Sequence, residues 1–496
     1  MSARRSPLAM DAARFRELGH RLVDRIAERL QAIPAGPVNR DESPAEVRAA
    51  LGLGESLPEA GRDVGELLDE TVERLFEHSL HNGHPRFFGY ITSSPAPIGM
   101  FADLLAAALN ANVGVWPLSP AATEIESETV RWIASLIGYP QDCGGLLLSG
   151  GNAANQVCLL AARAALAGWD IRARGLGGGR PLRLYTSAET HTWIQKTADE
   201  AGFGTDAIRW IPTGNDLRMD LSALRRRIAE DRAAGDLPFL VIGTAGSVST
   251  GAVDPLAELS RCCREERLWF HVDGAYGGFA AAVPGASDDL LALRDADSVA
   301  LDPHKWLYAP LEASCALVRN PEALRNAFSY QPAYYHLEQR AINYVDYGPQ
   351  NSRGFRALKV WLALRQVGAA GYREMIAEDL RLSNQLAAAI DRHPELERFT
   401  QSLSITTFRY VPAELRASLG EGETEQHLDV LNRELLERMQ RSGEAFVSNA
   451  VVNGRYLLRA CIVNFNTDRT DVEAVPEIAA RLGRDIHRRL RPAATR

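Results

Sequence analysis

The chain has 496 residues, enough for two or three domains and a large core, and its 46% hydrophobic and 24% charged content is that of a soluble globular protein. Lys and Arg number 55 against 63 Asp and Glu, a net charge of -8, which gives no basis for a nucleic-acid or polyanion partner. No apolar run reaches spanning length, because Asp103, Asn110 and Asn112 break the stretch from Phe101 to Trp116, and no apolar segment in Met1 to Met10 reads as a signal peptide.

From the N-terminus, Phe15, Leu18, Leu22, Ile26 and Leu30 recur at helical spacing. They predict a helix from about Asp11 to Leu30, ended by Pro34, Gly36 and Pro37. A second amphipathic stretch covers Val64 to Leu80. Two helices are too few for a compact domain, so residues 1–85 are expected to form a helical arm on something larger, such as a second subunit. From about Ser127 to Val318 short apolar segments alternate with helical ones. The strand candidates are Leu146–Leu148, Leu182–Thr186, Ile208–Ile211, Phe239–Gly243, Leu268–Val272, Ser298–Leu301 and Ala313–Val318, with helices such as Asn155–Leu166 and Leu221–Ala234 between them. This alternation predicts an α/β fold, a mainly parallel sheet covered by helices, with ligands at the carboxyl ends of its strands. Gly150, Thr244 and Asp273 fall just after such candidates. Phe355 to Val367 reads as a long helix, and the remainder, with strands Ser404–Tyr410 and Leu457–Val463, as a smaller α+β domain. The expected boundaries are 86–375 for the large domain and 376–496 for the small one.

Two segments carry chemistry. Lys305 lies in Asp302-Pro303-His304-Lys305-Trp306-Leu307-Tyr308, directly after a strand candidate. A lone lysine is usually a solvated surface charge, but among proline, histidine and tryptophan its amine is expected to be desolvated and free to attack a carbonyl. Upstream, Leu268-Trp269-Phe270-His271-Val272-Asp273-Gly274-Ala275-Tyr276 is a buried-strand pattern that ends in a carboxylate. A lysine for an aldehyde and an aspartate for a ring nitrogen are the two groups pyridoxal phosphate needs. Ser149-Gly150-Gly151-Asn152 reads as a turn into a helix whose N-terminus suits a phosphate, although a plain strand-to-helix turn has the same look. His191, after Tyr185-Thr186-Ser187, is placed to stack on a ring or move a proton. No metal is expected: the 11 histidines show no H-E-x-x-H spacing, and no further ligand joins His81 and His84. Cys143, Cys158, Cys262, Cys263, Cys315 and Cys461 form no C-x-x-C pair and read as reduced core residues, which suits the cytoplasm.

Four motifs together make a resemblance specific: Pro303-His304-Lys305-Trp306, His271-Val272-Asp273-Gly274-Ala275-Tyr276, Ser119-Pro120-Ala121-Ala122-Thr123-Glu124-Ile125-Glu126 and Phe355-Arg356-Ala357-Leu358-Lys359. Over almost its whole length the chain resembles the group II pyridoxal-phosphate-dependent amino acid decarboxylases, the family of aromatic-L-amino-acid decarboxylase. The resemblance implies fold type I, a homodimer with shared active sites, and decarboxylation of an amino acid. Lys305 would then bind the cofactor aldehyde, Asp273 its ring nitrogen, and His191 and Ala275 its two faces. Thr244 would lie near the ring substituents. Gly151, Asn152 and His304 would face the phosphate, with Ser352 reaching it from the other subunit. Tyr334 would match the tyrosine that returns a proton to the α-carbon.

Asn152, Ala153, Asp302 and Gly354 depart from frequent family residues, and an acid at Asp302 suits a phosphate site only if it points away. Tyr90 is retained, but Asn82, Ile91 and Gly114 stand where aromatic-substrate members tend to have Trp or Phe, so a roomier or more polar substrate pocket is expected. An aromatic amino acid is the first expectation. A non-aromatic substrate, an oxygen-using aldehyde synthase, an aminotransferase and a non-catalytic homologue are the alternatives.

Overall fold

The computed structural model describes residues 6–330 and 341–490. Twelve strands are present among them: β1 (Phe87–Phe88), β2 (Gly144–Leu148), β3 (Leu182–Ser187), β4 (Ile208–Ile211), β5 (Leu237–Thr244), β6 (Trp269–Asp273), β7 (Ser298–Leu301), β8 (Ser314–Val318), β9 (Leu396–Ser402), β10 (Ile405–Tyr410), β11 (Phe446–Val452) and β12 (Arg455–Cys461). The larger sheet has seven strands in the order β2-β8-β7-β6-β5-β3-β4. Its ladders are parallel except those of β8, which runs antiparallel to both β2 and β7. All seven expected strands are present, with edges shifted by a residue or two. They were visible because both faces of the sheet are covered: β2, β6, β7 and β8 are buried at every position.

The smaller sheet follows the order β1-β11-β12-β10-β9 and is antiparallel apart from the β1–β11 pair. Phe87 and Phe88 therefore join the C-terminal sheet although they precede the large one in sequence. A separate core forms behind it, where Leu382, Leu386 and Ile390 of one helix meet Leu431, Leu435, Val475 and Ala479. The helix Ala357–Arg392 links the two halves. Its backbone leaves the helical range at Gly368 (φ 70°, ψ 167°), where the periodic reading also stopped, and then resumes. At the N-terminus, Ala12–Ala32 is capped by the Asp11 carboxylate and Val64–Glu77 by that of Asp63. The two helices lie together, with Arg21 and Arg25 facing Asp69, and Phe15 is left exposed. Among the described residues no helix is long and apolar enough to cross a membrane, and all six cysteines are free.

Candidate active site

The carboxyl ends of β3, β5, β6 and β7 bring the chemical groups together, as parallel sheets require. Asp273 ends β6, and both of its oxygens are held. Oδ2 accepts the Trp193 indole N–H at 2.7 Å, and Oδ1 accepts the Ala275 N–H at 3.2 Å. Trp193 opens the helix Trp193–Glu200, two residues after His191. Its backbone N–H donates to His191 Nδ1 at 3.2 Å, so the proton of the neutral imidazole sits on Nε2. Burial lowers the His191 pKa, against the pull of Asp273, and leaves the ring neutral at pH 7.

Lys305 lies in the segment after β7. Its Nζ is 2.9 Å from Asp302 Oδ2. Asp302 also accepts from the Ser314 hydroxyl, and His304 Nε2 is 3.5 Å away. Burial alone would raise the Asp302 pKa, but Lys305, His304 and Ser314 outweigh it and hold the acid ionised below its ordinary value. The carboxylate turns toward Lys305 and lines the cavity, held there by the ammonium and the Ser314 hydroxyl. It lies against Gly151, where an added Cβ would come within 2.8 Å of Oδ2. Gly150, with φ 85°, turns the chain from β2 into the helix Gly151–Leu166, whose first N–H groups open at this point. The Thr244 hydroxyl is buried there without a partner, while its backbone N–H donates to Asp254 at 2.9 Å.

These side chains bound a cavity of about 170 Å³. Of the expected site residues, Ile91, Gly151, Asn152, His191, Thr244, Asp273, Ala275 and Lys305 form its wall. His304 stands just behind, its Nδ1 donating to the Ala313 carbonyl at 2.6 Å. Asn82, Tyr90, Gly114 and Ser352 lie off this wall. Tyr90 is exposed and leans on Phe446 at 6.3 Å. Gly114 is tightly packed, since a Cβ there would meet the Asn351 carbonyl at 2.2 Å. Ser352 is exposed, next to Arg353, whose buried guanidinium is fixed on Glu126 at 2.5 Å. Tyr334 lies outside the described residues. Trp193, Asn155, Gly246, Val248 and Tyr276 complete the wall without having been singled out in the sequence. Trp193 was within reach of sequence reasoning, as an aromatic two residues beyond His191. A wider open groove of about 810 Å³ runs between residues 215–218, 283–290 and β9, but its Arg218 is already paired with Asp289 and its Arg398 with Asp391.

An amine, a carboxylate fixed by an indole, a neutral imidazole, an unpartnered hydroxyl and a glycine-lined helix start suit a molecule with an aldehyde, a basic ring nitrogen and a phosphate, and pyridoxal phosphate fits them. Residues 44–411 match the pyridoxal-dependent decarboxylase conserved domain. The chain is 33% identical over 480 residues to the aromatic-L-amino-acid decarboxylase of Bacillus atrophaeus, covering 96% of each. It is 29% identical over 468 residues to a phenylacetaldehyde synthase of Arabidopsis thaliana, covering 91% of this chain and 92% of that one. The crystal structure of Oryza sativa TDC with PLP and tryptamine superposes with a TM-score of 0.89 at 28% identity, over 97% of this chain and 100% of that chain. The chain belongs to the pyridoxal-dependent decarboxylase family, with the fold type I architecture and pyridoxal phosphate as its cofactor.

Proposed function

We propose that this enzyme decarboxylates an aromatic L-amino acid to the amine and carbon dioxide, as a cytoplasmic homodimer with shared active sites. The observation that carries the reading is the meeting of Lys305, Asp273 and His191 in one cavity at the strand ends. Pyridoxal phosphate, when bound, supplies the electron sink for the pair left by the departing carboxylate. Lys305 would hold the cofactor's aldehyde and give way to the substrate amine. Asp273, oriented by Trp193, would keep a proton on the ring nitrogen. His191 and Ala275 would flank the ring, and Thr244 would lie near its substituents. Gly151, Asn152 and His304 would hold the phosphate. Tyr334 returns a proton to the α-carbon.

Aromatic specificity is supported by the Bacillus relative and by the apolar side chains of Ile91 and Val248 on the cavity wall. The dimer is supported by the helix Pro97–Leu109, which exposes Phe101, Leu104, Leu105 and Leu109 at 51%, 56%, 56% and 62%. Ser352 would then reach the partner's phosphate site. The cytoplasmic location is supported by the six free cysteines. The test is a screen of the common amino acids and dopa for carbon dioxide and amine. Release confined to aromatic substrates is expected, and release only from acidic or small ones would overturn the substrate assignment. The likeness to a phenylacetaldehyde synthase favours one second reading, oxidative aldehyde formation. Stoichiometric hydrogen peroxide from the wild type would establish it.

A further inference from the structure

Asp379 is a buried acid that the chemistry above does not use. It stands on the helix Ala357–Arg392, beyond the break at Gly368 and two turns from Tyr372 on the same face. Its Oδ2 accepts the Trp306 indole N–H at 3.0 Å and the Tyr308 hydroxyl at 2.7 Å. The Tyr372 hydroxyl donates to the Leu307 carbonyl at 3.1 Å. One helix face thus grips the three residues that directly follow Lys305. The same stretch of helix places Leu382, Leu386 and Ile390 in the C-terminal core. A second tie runs parallel to it: the Trp306 ring lies 4.9 Å from that of Tyr276, whose hydroxyl is 2.7 Å from Ser404 Oγ, just before β10.

Two physical points raise this contact above ordinary core filling. Tyr308 has φ 53°, a left-handed conformation that an L side chain keeps only when its surroundings hold it, and the bond to Asp379 does so. An apolar residue would fill the space under Trp306 without the cost of burying a carboxyl group. A carboxylate there gives direction instead, because it fixes an indole and a phenol at one point.

We propose that Asp379 is a positioning residue for Lys305, joining the C-terminal domain to the segment that carries the lysine amine. The proposal rests on Lys305 being the cofactor lysine. A shift of Trp306 and Tyr308 would carry Lys305 with it, and small misplacements of a reacting group cost rate.

The test uses the holoenzyme and three variants, with Trp306→Phe as a fourth in reserve. Asp379→Leu removes the acceptor at similar size, Asp379→Asn keeps an acceptor oxygen, and Tyr308→Phe removes one donor. Folded Asp379→Leu is expected to lose at least about tenfold in kcat with KM within about twofold, and to move the pH midpoint of the Lys305-bound cofactor's visible absorbance by about half a unit or more. Asp379→Asn is expected to restore the midpoint and to keep kcat within about threefold of wild type, with Tyr308→Phe between the two. A folded Asp379→Leu with wild-type kcat and absorbance overturns the proposal, and so does an Asp379→Asn as impaired as Asp379→Leu. If Asp379→Leu does not fold, Tyr308→Phe and Trp306→Phe decide: an unchanged midpoint and kcat in both overturn the proposal, and a shift in both supports it. A wild type with no borohydride-reducible cofactor on Lys305 would remove the reading of Lys305 and the proposal with it, whereas a normal wild type with unchanged variants removes the proposal alone.

Discussion

Asp273 has two oxygens and two fixed donors, and the Trp193 indole is the one that sets its tilt. Trp193→Phe keeps most of the ring and removes that N–H. Hydrogen bonds to charged groups are worth about 1.5–3 kcal/mol, so kcat is expected to fall about tenfold or more, with the protein still folded. Steady-state kinetics beside circular dichroism checks this, and an unchanged kcat would mean that the ring nitrogen alone orients the carboxylate. Tyr334→Phe tests the proposed return of a proton to the α-carbon. Without the phenol the carbanion persists and meets oxygen, so amine formation is expected to fall while aldehyde, ammonia and hydrogen peroxide appear in an oxygen-dependent manner. Amine at the wild-type rate without aldehyde would remove Tyr334 from the proton-transfer role. At this scale the legible residues were those in strand-to-turn patterns: Lys305, Asp273, Thr244 and Gly151 each follow an apolar run. The orientation of Asp302 and the surroundings of Gly114 were not legible, because Ser314 and Asn351 meet them only through the tertiary fold.

Among the elements, the helix Ala357–Arg392 has the most consequences, since one acid on it is both buried and hydrogen-bonded. Burial pushes Asp379 up to about 7, although Tyr308, Trp306 and the Asn464 N–H draw it down. Its folded pKa is raised above the ordinary carboxylate value, so its contribution to stability is full below about pH 4 and is lost as pH rises through 7. Asp379→Asn has no such titration. Urea unfolding at pH 5 and pH 8 should therefore show a smaller fall in stability for Asp379→Asn than for wild type, and equal falls would place the titration elsewhere. Strands hidden from the periodic reading share a cause. β9 is buried fully only at Leu396, β11 carries Ser448 and Asn449 within it, and β1 has two residues. Such segments are held by their sheet partners and not by an apolar run of their own. The central strands, buried on both faces, announced themselves.

For the whole molecule, the proposed dimer predicts what its exposed faces do. Leu104→Glu with Leu105→Glu puts two charges on the apolar face of Pro97–Leu109. Sedimentation should then show monomers with activity reduced at least about tenfold, because each site would lack its partner's residues. Removing the arm up to about Leu30 should act in the same direction, and a fully active monomer would contradict shared active sites. The proposed chemistry depends on one bond, between the cofactor aldehyde and a single lysine. Borohydride reduction of the purified holoenzyme, followed by mass mapping of its peptides, measures that bond directly. One pyridoxyl group per chain is expected, on Lys305, and none in Lys305→Ala. A tag on another lysine, or full labelling of Lys305→Ala, would contradict it.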